Sequence, residues 1–134
     1  MKLGYVLIYV EDVKAVMSFY LQAFGFEAKM MYEIENRVDY GELKTGETTL
    51  GFAAYSLGEA NLGGQYQKVS AKGQPFGIEL ALMSENVKGD FERAVAEGAI
   101  AVSEPSEKPW GQTVAYVRSI EGTLIELCSP MEQL

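Results

Sequence analysis

The chain has 134 residues, 48% of them hydrophobic and 22% charged, with a formal net charge of −8, one cysteine and no histidine. That length and balance suit one compact domain with a core of its own. The acidic charge opposes nucleic acid, whose phosphates need clustered Lys and Arg, and the missing histidine excludes a Ser-His-Asp triad, a Cys-His dyad and any imidazole-built metal centre.

Cys128 has no partner for an internal disulfide, which favours a reducing compartment. No run of about twenty apolar residues is present, so no membrane span is expected. Met1-Lys2-Leu3-Gly4 leads straight into a strand, and the expectation is a cytoplasmic protein without a signal peptide. The excess of acid suits solubility or a cationic ligand.

Residues 3–10 alternate, with Tyr5, Leu7 and Tyr9 on one side and Val6, Ile8 and Val10 on the other. Both rows are largely apolar, so the strand is covered on both faces. Asp12 stands where a helix N-cap belongs. Val13, Val16, Met17, Tyr20 and Phe24 follow at helical spacing, and Gly25 ends the helix. Strands are expected at 27–34, 38–43 and 47–55, with Thr45-Gly46 as a turn. Residues 56–75 carry four glycines and Pro75 and read as a linker loop or lid, with Leu62, Tyr66 and Val69 able to fold over something.

The pattern then returns. Residues 76–83 form a strand, with Phe76, Ile78, Leu80 and Leu82 on one face and Gly77, Glu79, Ala81 and Met83 on the other. Asn86 caps a helix bearing Val87, Phe91, Ala94 and Val95, and Gly98 stops it. Residues 100–103, 112–118 and 123–128 supply three more strands. A shift of 74 positions lays Glu11-Asp12-Val13-Lys14 on Glu85-Asn86-Val87-Lys88, Tyr5 on Glu79 and Phe52 on Glu126. The repeat is weak in identity and strong in pattern. It implies an α+β fold of two βαβββ modules, 1–55 and 76–134, joined by 56–75 in a single domain. The mixed sheets would curve around a shared cleft with the helices outside, and the mixed row of Tyr5, Leu7, Tyr9, Glu79, Ala81 and Met83 would line it.

Tyr5-Val6-Leu7-Ile8-Tyr9-Val10-Glu11-Asp12, Phe19-Tyr20 and Phe24-Gly25-Phe26 resemble the opening of the glyoxalase / bleomycin-resistance / extradiol-dioxygenase superfamily, the vicinal oxygen chelate proteins. So do Pro109-Trp110-Gly111-Gln112, Tyr116-Val117-Arg118 and Gly122-Thr123-Leu124-Ile125-Glu126-Leu127. The resemblance spans nearly the whole chain and implies paired βαβββ modules, commonly in a homodimer. In the family's enzymes a divalent metal is held at four places, which fall here on Tyr5, Phe52, Glu79 and Glu126. Those places usually carry histidine, glutamate or glutamine. Two are aromatic here, and the family's Asp-Pro before the last strand is replaced by Ser119-Ile120. The resemblance thus implies the cleft without the metal.

A carboxylate in an apolar strand is costly unless it is paired or neutral. Three readings of Glu79 and Glu126 stay open: ligands of a hard cation such as magnesium, anchors for a cationic or hydrogen-bonding ligand, or leftovers satisfied by Tyr5, an arginine or water. If the two lie close together, repulsion raises one pKa. Trp110, in the Pro-rich stretch 104–109, either stacks on a planar or cationic ligand or anchors its loop. Arg37 and Arg118 either meet an anionic ligand or sit in solvent, and Cys128 reads as inert core.

The expected function is a metal-free, cytoplasmic binding protein that sequesters a small aromatic or cationic molecule, as the bleomycin-resistance branch does in antibiotic resistance. Its ligand-binding set is Tyr5, Phe52, Glu79, Trp110, Tyr116 and Glu126, with no catalytic residue, no cofactor, and a second copy of the chain as partner. Two alternatives stand beside it. One is a divalent-metal-dependent lyase, isomerase or dioxygenase that uses Glu79 and Glu126, with Tyr5 as an unusual third ligand. The other is a non-catalytic partner or regulatory module.

Overall fold

A computed structural model describes residues 1–131. The chain divides into two compact units, one running Met1–Val69 and the other beginning at Ser70. Unit 1 contains β1 (Tyr5–Val10), α1 (Val13–Phe24), β2 (Glu27–Ile34), β3 (Arg37–Lys44), β4 (Thr49–Ala54) and α2 (Tyr55–Leu62). Its sheet runs β1-β4-β3-β2, with β1 parallel to β4 and the other pairs antiparallel. Unit 2 contains β5 (Glu79–Met83), α3 (Val87–Ala96), β6 (Ile100–Glu107), β7 (Thr113–Arg118) and β8 (Leu124–Cys128). Its sheet runs β5-β8-β7-β6, with β5 parallel to β8. The α+β architecture of two βαβββ units follows the repeat.

Local chemistry starts and stops the two long helices. The Asp12 carboxylate accepts the Ala15 N–H at 3.0 Å, and the Asn86 side chain accepts the Gly89 N–H at 3.1 Å. Each satisfies one of the backbone donors that a helix start leaves unpaired. Gly25 closes α1 at φ 73° and donates to the Leu21 carbonyl. In unit 1, α1 buries Val13, Val16, Met17, Tyr20 and Ala23 against the sheet, and the Tyr20 and Phe52 rings stand 4.9 Å apart. Full burial of each such aromatic contributes roughly 1.5–3 kcal/mol. In unit 2, α3 buries Val87, Phe91 and Ala94, and the sheet meets it with Ala115, Val117, Ile125 and Leu127.

Three features depart from the sequence expectation. Residues 56–75 are not all loop, because Tyr55–Leu62 is helical. That helix has almost no apolar stripe, and Gly58 is its one buried residue. A tertiary contact holds it: Tyr66 folds back so tightly on Gly58 that a Cβ there would lie 2.4 Å from the Tyr66 hydroxyl. Second, β6 runs to Glu107 through Pro105, which the Pro-rich reading had placed in a loop. The strand is at the sheet edge, and its register slips between Ala101 and Ser103 and again between Ser103 and Ser106. An edge with bulges is where a sheet tolerates proline. Third, β5 is shorter than 76–83.

The pairing register also revises the internal alignment. Tyr5 pairs with Thr49 and Glu79 with Leu124. The offset of 74 that relates the first strands has therefore become 75 at the last strands. By register, Gly51 stands where Glu126 stands, and Phe52 where Leu127 stands.

Candidate functional site

Each sheet has one face under its helix and one face turned away. On the turned-away face of unit 2, the pairing lays out three rows across β7, β8 and β5. They are Arg118–Leu124–Glu79, Tyr116–Glu126–Ala81 and Val114–Cys128–Met83. The period-two alternation that puts Glu126 on this face puts Ile125 and Leu127 into the core. The Tyr116 hydroxyl donates to the Glu126 carboxylate at 2.9 Å. That bond, then desolvation and the charges of Glu126, Glu79 and Cys128, hold the phenol at about 12. Glu79 is exposed on the neighbouring strand, and its pKa is raised by partial desolvation first and by the charge of Glu126 second. Among the described residues, no lysine or arginine forms an ion pair with either glutamate. Cys128 is buried, with its Sγ 3.6 Å from the Leu82 carbonyl and 3.7 Å from the Met83 Sδ. Burial, then Glu126 and Glu79, push its thiol up to about 11, which leaves it protonated and inert at neutral pH.

The corresponding face of unit 1 is built from Tyr5, Leu7 and Tyr9 on β1, Thr49, Gly51 and Ala53 on β4, and Tyr40, Glu42 and Lys44 on β3. Glu42 accepts the Tyr40 hydroxyl at 2.6 Å and has the Lys29 ammonium at 3.7 Å. Lys29 also donates to the Thr49 hydroxyl at 3.1 Å. Burial and the Glu42 bond raise the Tyr40 phenol strongly. At the far end of this face Tyr9 accepts a hydrogen bond from Asn61 of α2, and its ring lies 5.2 Å from that of Tyr66.

Of the residues singled out in the sequence, Glu79, Tyr116 and Glu126 share one face of unit 2. Tyr5 lies on the matching face of unit 1 and is 54% exposed. Phe52 does not: it is fully buried against Tyr20 beneath α1, because the one-residue change in offset puts it on the helix-facing side. Trp110 is 62% exposed in the β6–β7 turn, with its indole N–H donating to Gln112 at 2.9 Å. Arg37 stays largely exposed, whereas Arg118 does not. Arg37 pairs with Asp39 at 3.0 Å, and the buried Arg118 is spent on backbone carbonyls. The Tyr40–Glu42–Lys29 group escaped the sequence reading. Its signal was present in the alternation of Tyr40, Glu42 and Lys44 along one strand.

The donor set does not fit the divalent metal that the resemblance raised. Unit 1 offers a phenol at Tyr5 and no side chain at Gly51, and Phe52 is core. Unit 2 offers two carboxylates, one already bonded to Tyr116. Among the described residues no three His, Cys, Asp or Glu side chains group as a metal site.

Two βαβββ units, each with its first and last strands parallel and its helix on one face, define a glyoxalase-type α+β fold. The chain belongs to the Glyoxalase/Bleomycin resistance protein/Dioxygenase superfamily, whose family model matches residues 2–127. It is similar to the crystal structure of a glyoxalase/bleomycin resistance protein/dioxygenase family enzyme from Burkholderia phytofirmans PsJN, with TM-score 0.79 and 25% identity over 96% of this chain and 98% of that one. TioX from Micromonospora sp. ML1 shares the fold at TM-score 0.73 and 22% identity, over 96% and 98% of the two chains. So does a glyoxalase-related enzyme from Fulvimarina pelagi, at TM-score 0.77 and 19% identity, over 97% and 88%. No curated protein matches the chain. No helix among the described residues is long and apolar enough to cross a membrane.

Proposed function

We propose that the protein is a metal-independent binder of a small aromatic cation, with Glu79 and Glu126 as its polar anchors. The observation that carries this reading is unbalanced charge. Two carboxylates share a sheet face with Leu124, Ala81, Met83 and Tyr116, and among the described residues no lysine or arginine pairs with either. Desolvation first and the charge of Glu126 second raise Glu79; a ligand that brings its own cation offsets both, and its planar body covers exposed Met83 and its apolar neighbours. An amidinium suits the site because its paired N–H groups match carboxylate oxygens. Trp110 adds an exposed indole to the same unit. No catalytic residue is assigned. Exposed Tyr5, Ile78 and Met83 support a second copy of the chain as partner, and sedimentation tests that pairing.

Calorimetry with benzamidine and its neutral near-isostere benzamide tests the ligand class. The expected result is saturable binding of benzamidine only, unchanged by a chelator and weakened about tenfold in E126Q, a loss of about 1.4 kcal/mol. Equal binding of benzamide overturns the reading, as does a stoichiometric divalent ion required for binding.

A further inference from the structure

Arg118 lies on the same sheet face as the two glutamates. It shares a cross-strand row with Glu79, separated by Leu124, and is the diagonal neighbour of Glu126. Diagonal neighbours sit about 7–8 Å apart, within reach of a long side chain. An arginine in that position would ordinarily close on the acid pair, since bidentate guanidinium–carboxylate contacts are among the stronger hydrogen bonds a protein makes. It does not do so here. The Nε donates to the Gly122 carbonyl at 3.1 Å, and Nη1 donates to the carbonyls of Ala71 at 3.2 Å and Gly73 at 2.7 Å. Nη2 donates to the carbonyls of Ser70 at 2.6 Å and Gly122 at 3.0 Å. The residue is only 6% exposed, and all of these acceptors are uncharged.

We propose that residues 70–73 form a strap that holds Arg118 off Glu79 and Glu126, so that an external cation rather than the chain's own guanidinium meets the acid pair. Arg118 thus takes no part in binding; its charge is withheld from the acid pair. The strap is keyed by Gly122, whose φ of 103° and close approach both require glycine: a Cβ there would lie 2.0 Å from the Ser70 carbonyl oxygen. The forces raising Glu79 are desolvation and Glu126, consistent with a guanidinium whose charge is directed elsewhere. This inference rests on the cation-binding reading for its purpose, but not for its geometry.

Three variants test it, each read by the titration of the Glu79 side-chain carboxyl carbon in NMR and by benzamidine affinity. G122A drives the strap away and frees Arg118. The expected result is a Glu79 midpoint lower than in the wild type and affinity reduced about five- to tenfold, the scale of a partly exposed ion pair. G122A/R118Q removes the freed charge and is expected to restore both. R118Q alone is expected to change affinity by no more than about twofold and to move the Glu79 midpoint little, because the charge it removes is held away from the acid pair and screened. A folded G122A with an unmoved Glu79 midpoint overturns the strap, as does a double variant that fails to recover. If G122A does not fold, R118Q decides: a large change in either readout overturns the inference and no change supports it. Should wild-type protein bind no benzamidine, the ligand reading fails while the Glu79 midpoints still decide the strap.

Discussion

The two units solve one problem in opposite ways. Each has a carboxylate hydrogen-bonded to a tyrosine in the middle of the sheet face turned away from its helix. In unit 1 the pair is Glu42 and Tyr40, two residues apart on β3, and Lys29 completes it. In unit 2 it is Glu126 on β8 with Tyr116 on β7, and a second carboxylate, Glu79, stands where unit 1 has Tyr5. Unit 1 is therefore electrically closed and unit 2 is not. A duplicated scaffold keeps its hydrophobic period in both copies because the core demands it. The outward row is free to diverge, and there the copies have parted: one neutralised, one left acidic.

The largest effect that can break this comparison lies under the sheet. If Phe52 is core and its register mate is Leu127, F52A costs about 3–5 kcal/mol of unfolding free energy and L127A about 2–5, and neither acts through ligand affinity. Chemical denaturation checks this. A near-neutral F52A would return Phe52 to the outward face and restore the constant offset of 74. Next in size is charge. E126Q is expected to lower benzamidine affinity about tenfold, whereas E42Q leaves it unchanged, because Lys29 already neutralises that carboxylate. E126Q also replaces the charged acceptor that holds Tyr116 at about 12 with a neutral one. The tyrosinate absorbance should then show one phenol titrating closer to the ordinary value of 10.0. Equal losses in E42Q and E126Q would mean that the two faces are alike.

How far the molecule could be read from its sequence follows the same division. The helices were legible because their signals are local: Asp12 and Asn86 at the starts, Gly25 and Gly98 at the stops, and apolar residues at 3.6 spacing between them. The strands were legible from period two, which gave the Glu79 row, while the shared face of Glu79 and Glu126 on adjacent parallel strands came only with the pairing. Phe52 was misplaced because one residue of drift between the copies is invisible until strand pairing is known, and in a strand one residue reverses the face. Helix α2 was missed because it carries no stripe of its own and depends on Tyr66 packing at Gly58, a contact eight positions away. Arg118 was left open between ligand and solvent. Its partners are the carbonyls of 70–73 and 122, and backbone acceptors leave no pattern in side-chain identity.

A smaller effect concerns Trp110. With its indole exposed and bonded to Gln112, W110A should change stability by about 0.5 kcal/mol or less. If the indole stacks on the ligand, benzamidine affinity falls by about 1–3 kcal/mol, comparable to the loss of one large buried side chain. Calorimetry and denaturation on one sample separate the two, and a stability loss without an affinity loss would make Trp110 a loop anchor.

The smallest effect is a pH dependence that only unit 2 should possess. Glu79 holds its proton more tightly folded than unfolded, through desolvation and then Glu126, so the native state binds the extra proton. Stability from this group is therefore complete below the unfolded value, near 4.5, and is lost as pH rises through the higher folded value. Of the charged and titratable neighbours on this face, Glu126, Tyr116 and Cys128 are acids, and the one cation, Arg118, donates to the carbonyls of Ser70, Ala71, Gly73 and Gly122 rather than to Glu79. E79Q cannot titrate, so the difference in Tm between E79Q and the wild type should be smallest at about pH 4 and grow in favour of E79Q towards about pH 7. Exposure of Glu79 keeps the effect modest. Tyr5 occupies the matching place in unit 1 and is not a carboxylic acid, so Y5F should show no such slope. A difference that instead shrinks with rising pH would mean that a cation of the chain already sits on the pair, and the contrast between the closed and the open unit would collapse.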